Sequence, residues 1–256
     1  MPDSLDSTAG PSTPAIELQG ASLTYPNGTI ALAATDLRIE SGQFVSLLGP
    51  SGCGKSTLLK MMSGLLAPSG GHVHTAAGPE SLSYVFQDAT LMPWADVWHN
   101  VRLPLDLAGT PKSQANERVH EALKLVGLDG FARHKPHQLS GGMQMRASIA
   151  RGLVTRPKLL LMDEPFGALD EITRHKLDSD LHRLWLREPE LTVVFVTHSV
   201  AEAVYLSQRV IVMGTKPGRI VADLIIDEPY PREADVRTSA AFNERVRTLH
   251  HLLNEP

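Results

Sequence analysis

The sequence contains one cysteine, Cys53, in 256 residues. No internal disulfide can form, which fits a reducing compartment. It has no surplus of basic charge: 24 Lys and Arg stand against 28 Asp and Glu, for a formal net charge of −4. A protein held to nucleic acid through phosphate contacts needs a basic face, and this balance argues against that class. No apolar run approaches the ~20 residues needed to span a bilayer, so any service to a membrane goes through a partner. The opening stretch, MPDSLDSTAGPSTP, lacks the basic and apolar regions of a secretory signal. Its acidic, Ser/Thr/Pro-rich composition predicts a disordered tail over 1–14. Internal repeats and a long coiled coil are also missing.

What is present is the balance of a globular domain, 42% hydrophobic and 20% charged, in a chain long enough for a core with a subdomain. From 15 to 48 the pattern is mostly strands, over 16–23, 30–39 and 44–48, with a Pro-Asn-Gly turn at 26–28. The 44–48 run is apolar almost throughout, as in a strand buried on both faces. Helical spacing begins after Lys55, with Leu58, Leu59, Met62 and Leu65 on one stripe. The middle, about 88–157, is more helical. Val119, Ala122, Leu123 and Val126 share a face, and a second helix is expected over 142–154 with Met143, Ala147, Ala150 and Val154 on one side. Buried-strand runs return at 159–162, 192–196 and 210–213. A helix over 171–187 separates the first two, with a stripe of Leu177, Leu181, Leu184 and Trp185 and an i,i+4 pair Arg174–Asp178. Strands alternating with amphipathic helices predict a parallel α/β sheet. The tail from 214 holds a strand-like hairpin over 219–226 and a last helix near 242–253.

The strongest local signal is Gly49-Pro50-Ser51-Gly52-Cys53-Gly54-Lys55-Ser56-Thr57, which matches G-x-x-x-x-G-K-[ST]. It follows an apolar strand and opens a helix, the context a P-loop needs. Its glycines let the backbone turn tightly so that several N–H groups converge into an anion nest at a helix N-terminus. Lys55 is expected to reach the β- and γ-phosphates of ATP, and Ser56 to offer a hydroxyl to Mg²⁺. A second signal is the apolar strand 159–162 ending in Asp163-Glu164. Asp163 is placed to hold Mg²⁺, and Glu164 to orient or deprotonate the attacking water. A strand ending in Asp-Glu is commonplace alone; the P-loop upstream gives it meaning. Cys53, just before Lys55 and a helix N-terminus, is expected to favour its thiolate.

Between these motifs lies Leu139-Ser140-Gly141-Gly142-Met143-Gln144. By itself Ser140-Gly141-Gly142 is a helix-capping turn. In this order it resembles the LSGGQ signature of the ABC ATPase family, with Met143 where Gln is usual. Four further positions match that family. Gln87, in Val85-Phe86-Gln87-Asp88, resembles the Q-loop glutamine that senses Mg²⁺ and the γ-phosphate. Gly167-Ala168-Leu169-Asp170 looks like the D-loop. His198, followed here by Ser199, looks like the switch histidine on the γ-phosphate. Tyr25 stands where the family places an aromatic against adenine. The resemblance spans about 16–213. It implies a P-loop NTPase fold with a RecA-like core, an N-terminal antiparallel β subdomain and an inserted α-helical signature subdomain. These make one ABC ATPase domain over 15–256, with the helical subdomain at about 88–157 and a C-terminal tail from about 214. It also implies a head-to-tail homodimer in which ATP lies between the P-loop of one chain and Ser140, Gly141 and Gly142 of the other, with Asp170 of the D-loop a further nucleotide-binding candidate.

A finer resemblance, carried by Leu91-Met92-Pro93-Trp94 and by 162–171, is to the nitrate/sulfonate/taurine importer group. That implies two transmembrane permease subunits docking near Leu91, Met92 and Trp94, an extracytoplasmic solute-binding protein, and a place at the cytoplasmic face of the membrane. An ABC ATPase acting on DNA or ribosomes is disfavoured by the single ATPase half, the lack of a coiled coil and the acidic balance. A non-catalytic scaffold is disfavoured by Lys55, Asp163, Glu164 and His198 together. The cargo is not written in this chain, and the choice between import and export stays open.

Overall fold

The computed structural model describes residues 14–254. The tail expected over 1–14 lies outside them except for Pro14, which opens a strand.

Two sheets build the core. The smaller is antiparallel. Its centre is β1 (Pro14–Thr24), flanked by β2 (Ile30–Glu40) and β4 (Gly70–Thr75). The larger has the order β5-β6-β7-β3-β8-β9, formed by β3 (Phe44–Leu48), β5 (Leu82–Val85), β6 (Leu159–Asp163), β7 (Thr192–Thr197), β8 (Arg209–Gly214) and β9 (Arg219–Ile225). The neighbours β5-β6-β7-β3-β8 pair in parallel, and β9 returns antiparallel on β8. The expected hairpin at 219–226 is therefore the second arm of a hairpin with β8.

β3, β6 and β7 are buried along their whole length, as strands covered on both faces must be. Their side chains alternate between two cores. Phe44, Leu48, Leu160, Met162, Val193 and Phe195 face one that also contains helix residues such as Leu177, Leu181 and Tyr205. Val45, Leu47, Leu159, Leu161, Val194 and Val196 face the other, against α1 (Lys55–Met62) and the smaller sheet. Leu65 falls beyond the end of α1 and is exposed rather than part of its stripe.

Three helices are inserted between β5 and β6: α2 (Val97–Leu107), α3 (Lys112–Leu125) and α4 (Gly141–Leu153). Asp96 caps α2, its side chain accepting from His99 N–H. Ser140 caps α4, accepting from Met143 N–H. The remaining helices are α5 (Glu171–Arg187), α6 (Val200–Leu206) and α7 (Ala240–Asn254). On α5 the buried residues are Leu177, Asp178, Leu181, His182 and Trp185. The expected Arg174–Asp178 pair does not form. Arg174 lies 3.5 Å from Glu202 and Asp178 is paired with Arg237 at 2.6 Å, because burial turns both side chains toward α6 and the C-terminal segment.

Candidate nucleotide-binding site

The sheet order sets the C-terminal ends of β5, β6, β7 and β3 side by side, the edge of a parallel sheet where ligands bind. Gln87 follows β5, Glu164 follows β6, His198 follows β7, and the P-loop follows β3. A cleft of about 560 Å³ opens there, lined by Tyr25, Ser51, Gly52, Gly54, Lys55, Ser56, Thr57, Gln87 and Glu164. The ends of β3, β5 and β6, widely separated in sequence, thus reach one cavity, while His198 after β7 does not line it but lies 3.3 Å from Glu164.

Strand parity aims the carboxylates. Asp163 continues the alternation of Leu159 and Leu161 toward α1, where Ser56 Oγ donates to its Oδ1 at 2.8 Å and Tyr84 OH donates to Oδ2 at 3.3 Å. Burial pushes the Asp163 carboxyl up; the Ser56 and Tyr84 hydrogen bonds oppose this, and neighbouring Glu164 adds to the rise. A serine hydroxyl beside a carboxylate is a hard-oxygen donor set of the kind Mg²⁺ takes together with phosphate oxygens, so these residues fit that ion. Glu164 has φ 46, a left-handed conformation that costs a non-glycine residue of order 1–3 kcal/mol and persists where surrounding structure fixes it. Here Glu164 N–H donates to Val196 O at 3.1 Å, and Glu164 O accepts from Gly167 N–H at 3.2 Å. The bend carries its side chain away from the strand to 3.3 Å from His198 Nδ1 and 3.8 Å from Lys55 Nζ.

Lys55 is buried, and its ammonium donates to Gly49 O at 2.7 Å and Pro50 O at 3.0 Å. Gly54 caps α1 at φ 95, a backbone conformation in which a side chain would be strained. Cys53 departs from expectation. Its thiol is fully buried within the core under α1, and burial raises its pKa against the pull of Lys55. The loop's turn directs this side chain inward while its neighbours face the cleft. Position 53 therefore contributes backbone and packing, and the expected thiolate is overturned.

The signature residues are elsewhere. Ser140 and Gly141 are exposed and Gly142 is half-buried; none of them lines the cleft. Gly142 lies against Ala168 and Leu169, which brings this turn beside the 167–170 loop. Asp170 is exposed too, and its carboxylate caps α5 by accepting from Thr173 N–H at 2.9 Å. Trp94 is 74% exposed, whereas Leu91 and Met92 are half-buried and Leu91 packs on the core.

Several residues here escape sequence reasoning. Lys216, Pro217 and Gly218, the tip of the β8–β9 hairpin, line the cleft, and a side chain at 218 would meet Cys53 O at 2.4 Å. Only the Lys-Pro-Gly turn chemistry hinted at a tip, not at its target. Buried Asn100 ties down the 92–96 loop, accepting from Met92 N–H at 2.7 Å and donating to Met92 O, Ala95 O and Asp96 O. Arg151 holds Ala89 O and Thr90 O at 3.0 and 2.9 Å. No local pattern marks either one.

A phosphate-cradling loop joined through Ser56 and Asp163 to a strand-end carboxylate pair defines a P-loop nucleoside triphosphatase. The family described as ABC transporter matches residues 32–167. The chain is 45% identical to aliphatic sulfonates import ATP-binding protein SsuB 2 of Streptomyces avermitilis, over 92% of this chain and 90% of the relative. It is 39% identical to taurine import ATP-binding protein TauB of Pseudomonas entomophila, over 93% and 95%. Among solved structures, the ATP-binding cassette MJ0796 in a dimeric post-hydrolysis state bound to ADP and Pi superposes with TM-score 0.76 at 33% identity, covering 84% of this chain and all of that one. The chain belongs to the ABC transporter family as an ATP-binding subunit, and it is an ATPase. Cassettes of this family dimerise, and importer subunits of this kind pair with permease subunits at the membrane. No helix among the described residues is long and apolar enough to cross a membrane itself.

Proposed function

We propose that this chain drives import of a small solute of the nitrate/sulfonate/taurine class, working as a head-to-tail pair at the cytoplasmic face of the membrane. The observation carrying this is similarity over more than nine-tenths of the chain to subunits named for taurine and aliphatic sulfonate import. A protein named for bicarbonate transport in Synechococcus elongatus is 46% identical over 90% of this chain, which spans 34% of that longer protein. An extracytoplasmic solute-binding protein would choose the cargo, and Trp94, with Met92 and Leu91 behind it, would meet the permease.

In this reading the backbone N–H groups of 51–57 and the Lys55 ammonium hold the ATP phosphates. Tyr25 stacks on adenine. Ser56 and Asp163, with Gln87, would hold Mg²⁺, which would supply charge neutralisation on the phosphates. Glu164 accepts a proton from the attacking water, and His198, 3.3 Å from Glu164, orients against the γ-phosphate. Ser140, Gly141, Gly142 and Asp170 of a second copy close the site and exclude water. ATP then glues the two chains, and hydrolysis releases them.

Glu164→Gln tests this reading. The amide is nearly isosteric but accepts no proton, so ATP still binds while turnover falls by about 10²–10⁴. Size-exclusion chromatography with light scattering should show an ATP-dependent shift from monomer to a lasting dimer, and the same comparison is made in the complex reconstituted with permease. Wild-type turnover by the variant there would remove Glu164 from the role of base.

A further inference from the structure

The bend that carries Glu164 is held from behind by one side chain. Arg174, in the first turn of α5, donates from Nε to Phe166 O at 3.3 Å and from Nη2 to Leu169 O at 2.9 Å. Arg174 is also 3.5 Å from the buried carboxylate of Glu202 on α6. The second oxygen of Glu202 accepts from Thr197 Oγ1 at 2.5 Å, and Thr197 Oγ1 accepts from Ser199 N–H at 2.9 Å. Thr197 and Ser199 flank His198. One arginine and one carboxylate therefore join the loop after Glu164 to the loop bearing His198.

That bridge lies beside a second buried acid. Asp178, one turn further along α5, is fully buried and accepts from Arg237 Nη2 at 2.6 Å. Its other oxygen has no hydrogen-bond partner among the described residues. Arg237 comes from the C-terminal segment, and its guanidinium lies 3.8 Å over the Tyr205 ring. The same segment is anchored by Arg232, which donates to the carbonyl oxygens of Val204, Tyr205 and Ser207. Burial lifts Asp178 to about 7, with Glu202 adding to the rise and Arg237 opposing it. Two buried acids thus face two arginines, one of which has a second task at the catalytic bend.

We propose that Arg237 is a positioning residue for ATP hydrolysis: by engaging the buried Asp178 carboxyl it leaves Arg174 to hold Phe166 O, Leu169 O and Glu202, and so fixes Glu164 against His198. Without Arg237, neither oxygen of the buried Asp178 carboxyl has a hydrogen-bond partner, and the group competes for the Arg174 guanidinium across one helical turn, so the bend loses its brace. The C-terminal segment is then a working part of the catalytic core. This rests on the reading of Glu164 and His198 given above.

Steady-state ATP hydrolysis by the full chain tests it, each variant being assayed at a fixed margin below its own Tm. Arg237→Ala should lower kcat at least fivefold and change KM for ATP less than twofold, since the nucleotide contacts are untouched. Arg237→Lys, which keeps a cation opposite Asp178, should recover most of the loss. With Asp178→Asn in place the arginine has no carboxyl group to engage, so adding Arg237→Ala should change kcat less than twofold. That last comparison stands even where Arg237→Ala alone fails to fold. Wild-type kcat in Arg237→Ala, or a further fivefold loss when it is added to Asp178→Asn, would overturn the proposal. Glu164→Gln run in parallel separates the two failures: if it is inactive while Arg237→Ala is normal, only the positioning role falls.

Discussion

Two glycine-bearing turns that open helices, one at 49–55 and one at 140–142, are finished to different degrees. The first is closed on itself: Lys55 is buried on two carbonyls of its own loop, Ser56 is tied to Asp163, and Cys53 is sunk in the core. The second ends on exposed Ser140 and Gly141, with a single cap bond of 3.3 Å to Met143 N–H. The first has a cleft, whereas the second stands outside it. A loop that is cross-linked to its catalytic strand binds ligand alone; a bare helix N-terminus needs something brought to it. That difference supports a division of labour in which one chain supplies the phosphate cradle and another supplies the cover.

Substitutions on the two sides should therefore fail differently. Lys55→Ala removes the buried cation proposed to hold the phosphates. At about 1.5–3 kcal/mol for each hydrogen bond to a charged group, two such contacts put the loss of ATP affinity at roughly 100-fold or more, and turnover should vanish with it. Fluorescent-nucleotide titration of the isolated chain reads this directly. Ser140→Arg should leave that titration within about twofold of wild type, because residue 140 does not line the cleft, yet block the ATP-dependent dimer through bulk and charge. If Ser140→Arg weakened binding in the single chain as much as Lys55→Ala, the two turns would belong to one site and the division would be wrong.

The next contrast lies within the 91–94 segment. Trp94 is about three-quarters exposed (74%), whereas Leu91 rests on the core. Trp94→Ala should leave Tm within a few degrees while weakening assembly with the permease or uncoupling transport. Leu91→Asp should lower Tm as well, because a carboxylate is placed against apolar neighbours. Trp94 is thus the cleaner probe. Full assembly and transport by Trp94→Ala would remove this surface from the docking reading.

These contrasts follow how the sequence could be read. The P-loop, the Asp163-Glu164 strand end and the buried strands were legible because each is a local pattern: an apolar run, a fixed glycine spacing, a charge at a strand's end. β4 was not, since Gly70, Gly71, His72 and His74 carry little strand preference and its pairing with β1 decides the matter. α2 was obscured by Pro104 inside it. Asn100, Arg151, Arg174 and Arg237 act on backbone carbonyls or carboxylates set by the tertiary fold, so no spacing announces them. Arg174–Asp178 shows the same limit from the other side: the i,i+4 spacing is right, and burial against α6 overrides it.

Cys53 gives the smallest effect and the sharpest test of whether the first turn is closed in solution. A thiol with no exposed surface, its pKa raised by burial, offers little thiolate and reacts only when the loop opens. Iodoacetamide at pH 7.5 should modify Cys53 at least about tenfold more slowly in the native chain than in the denatured one. Saturating MgATP should slow it further by holding the native state, by an amount that follows ligand occupancy. Cys53→Ala should bind ATP with wild-type affinity and lose about 1 kcal/mol of stability, the scale of a small buried group. In that background Ser140→Cys places a thiol on the exposed turn, and it should react at the rate of a free thiol until an ATP-bound dimer covers it. Mass spectrometry of the two proteins side by side reads both turns with one reagent. Equal rates for Cys53 and for the Ser140→Cys thiol would mean that the cradle opens as freely as the cover, and the contrast between the two turns would then not describe the protein in solution.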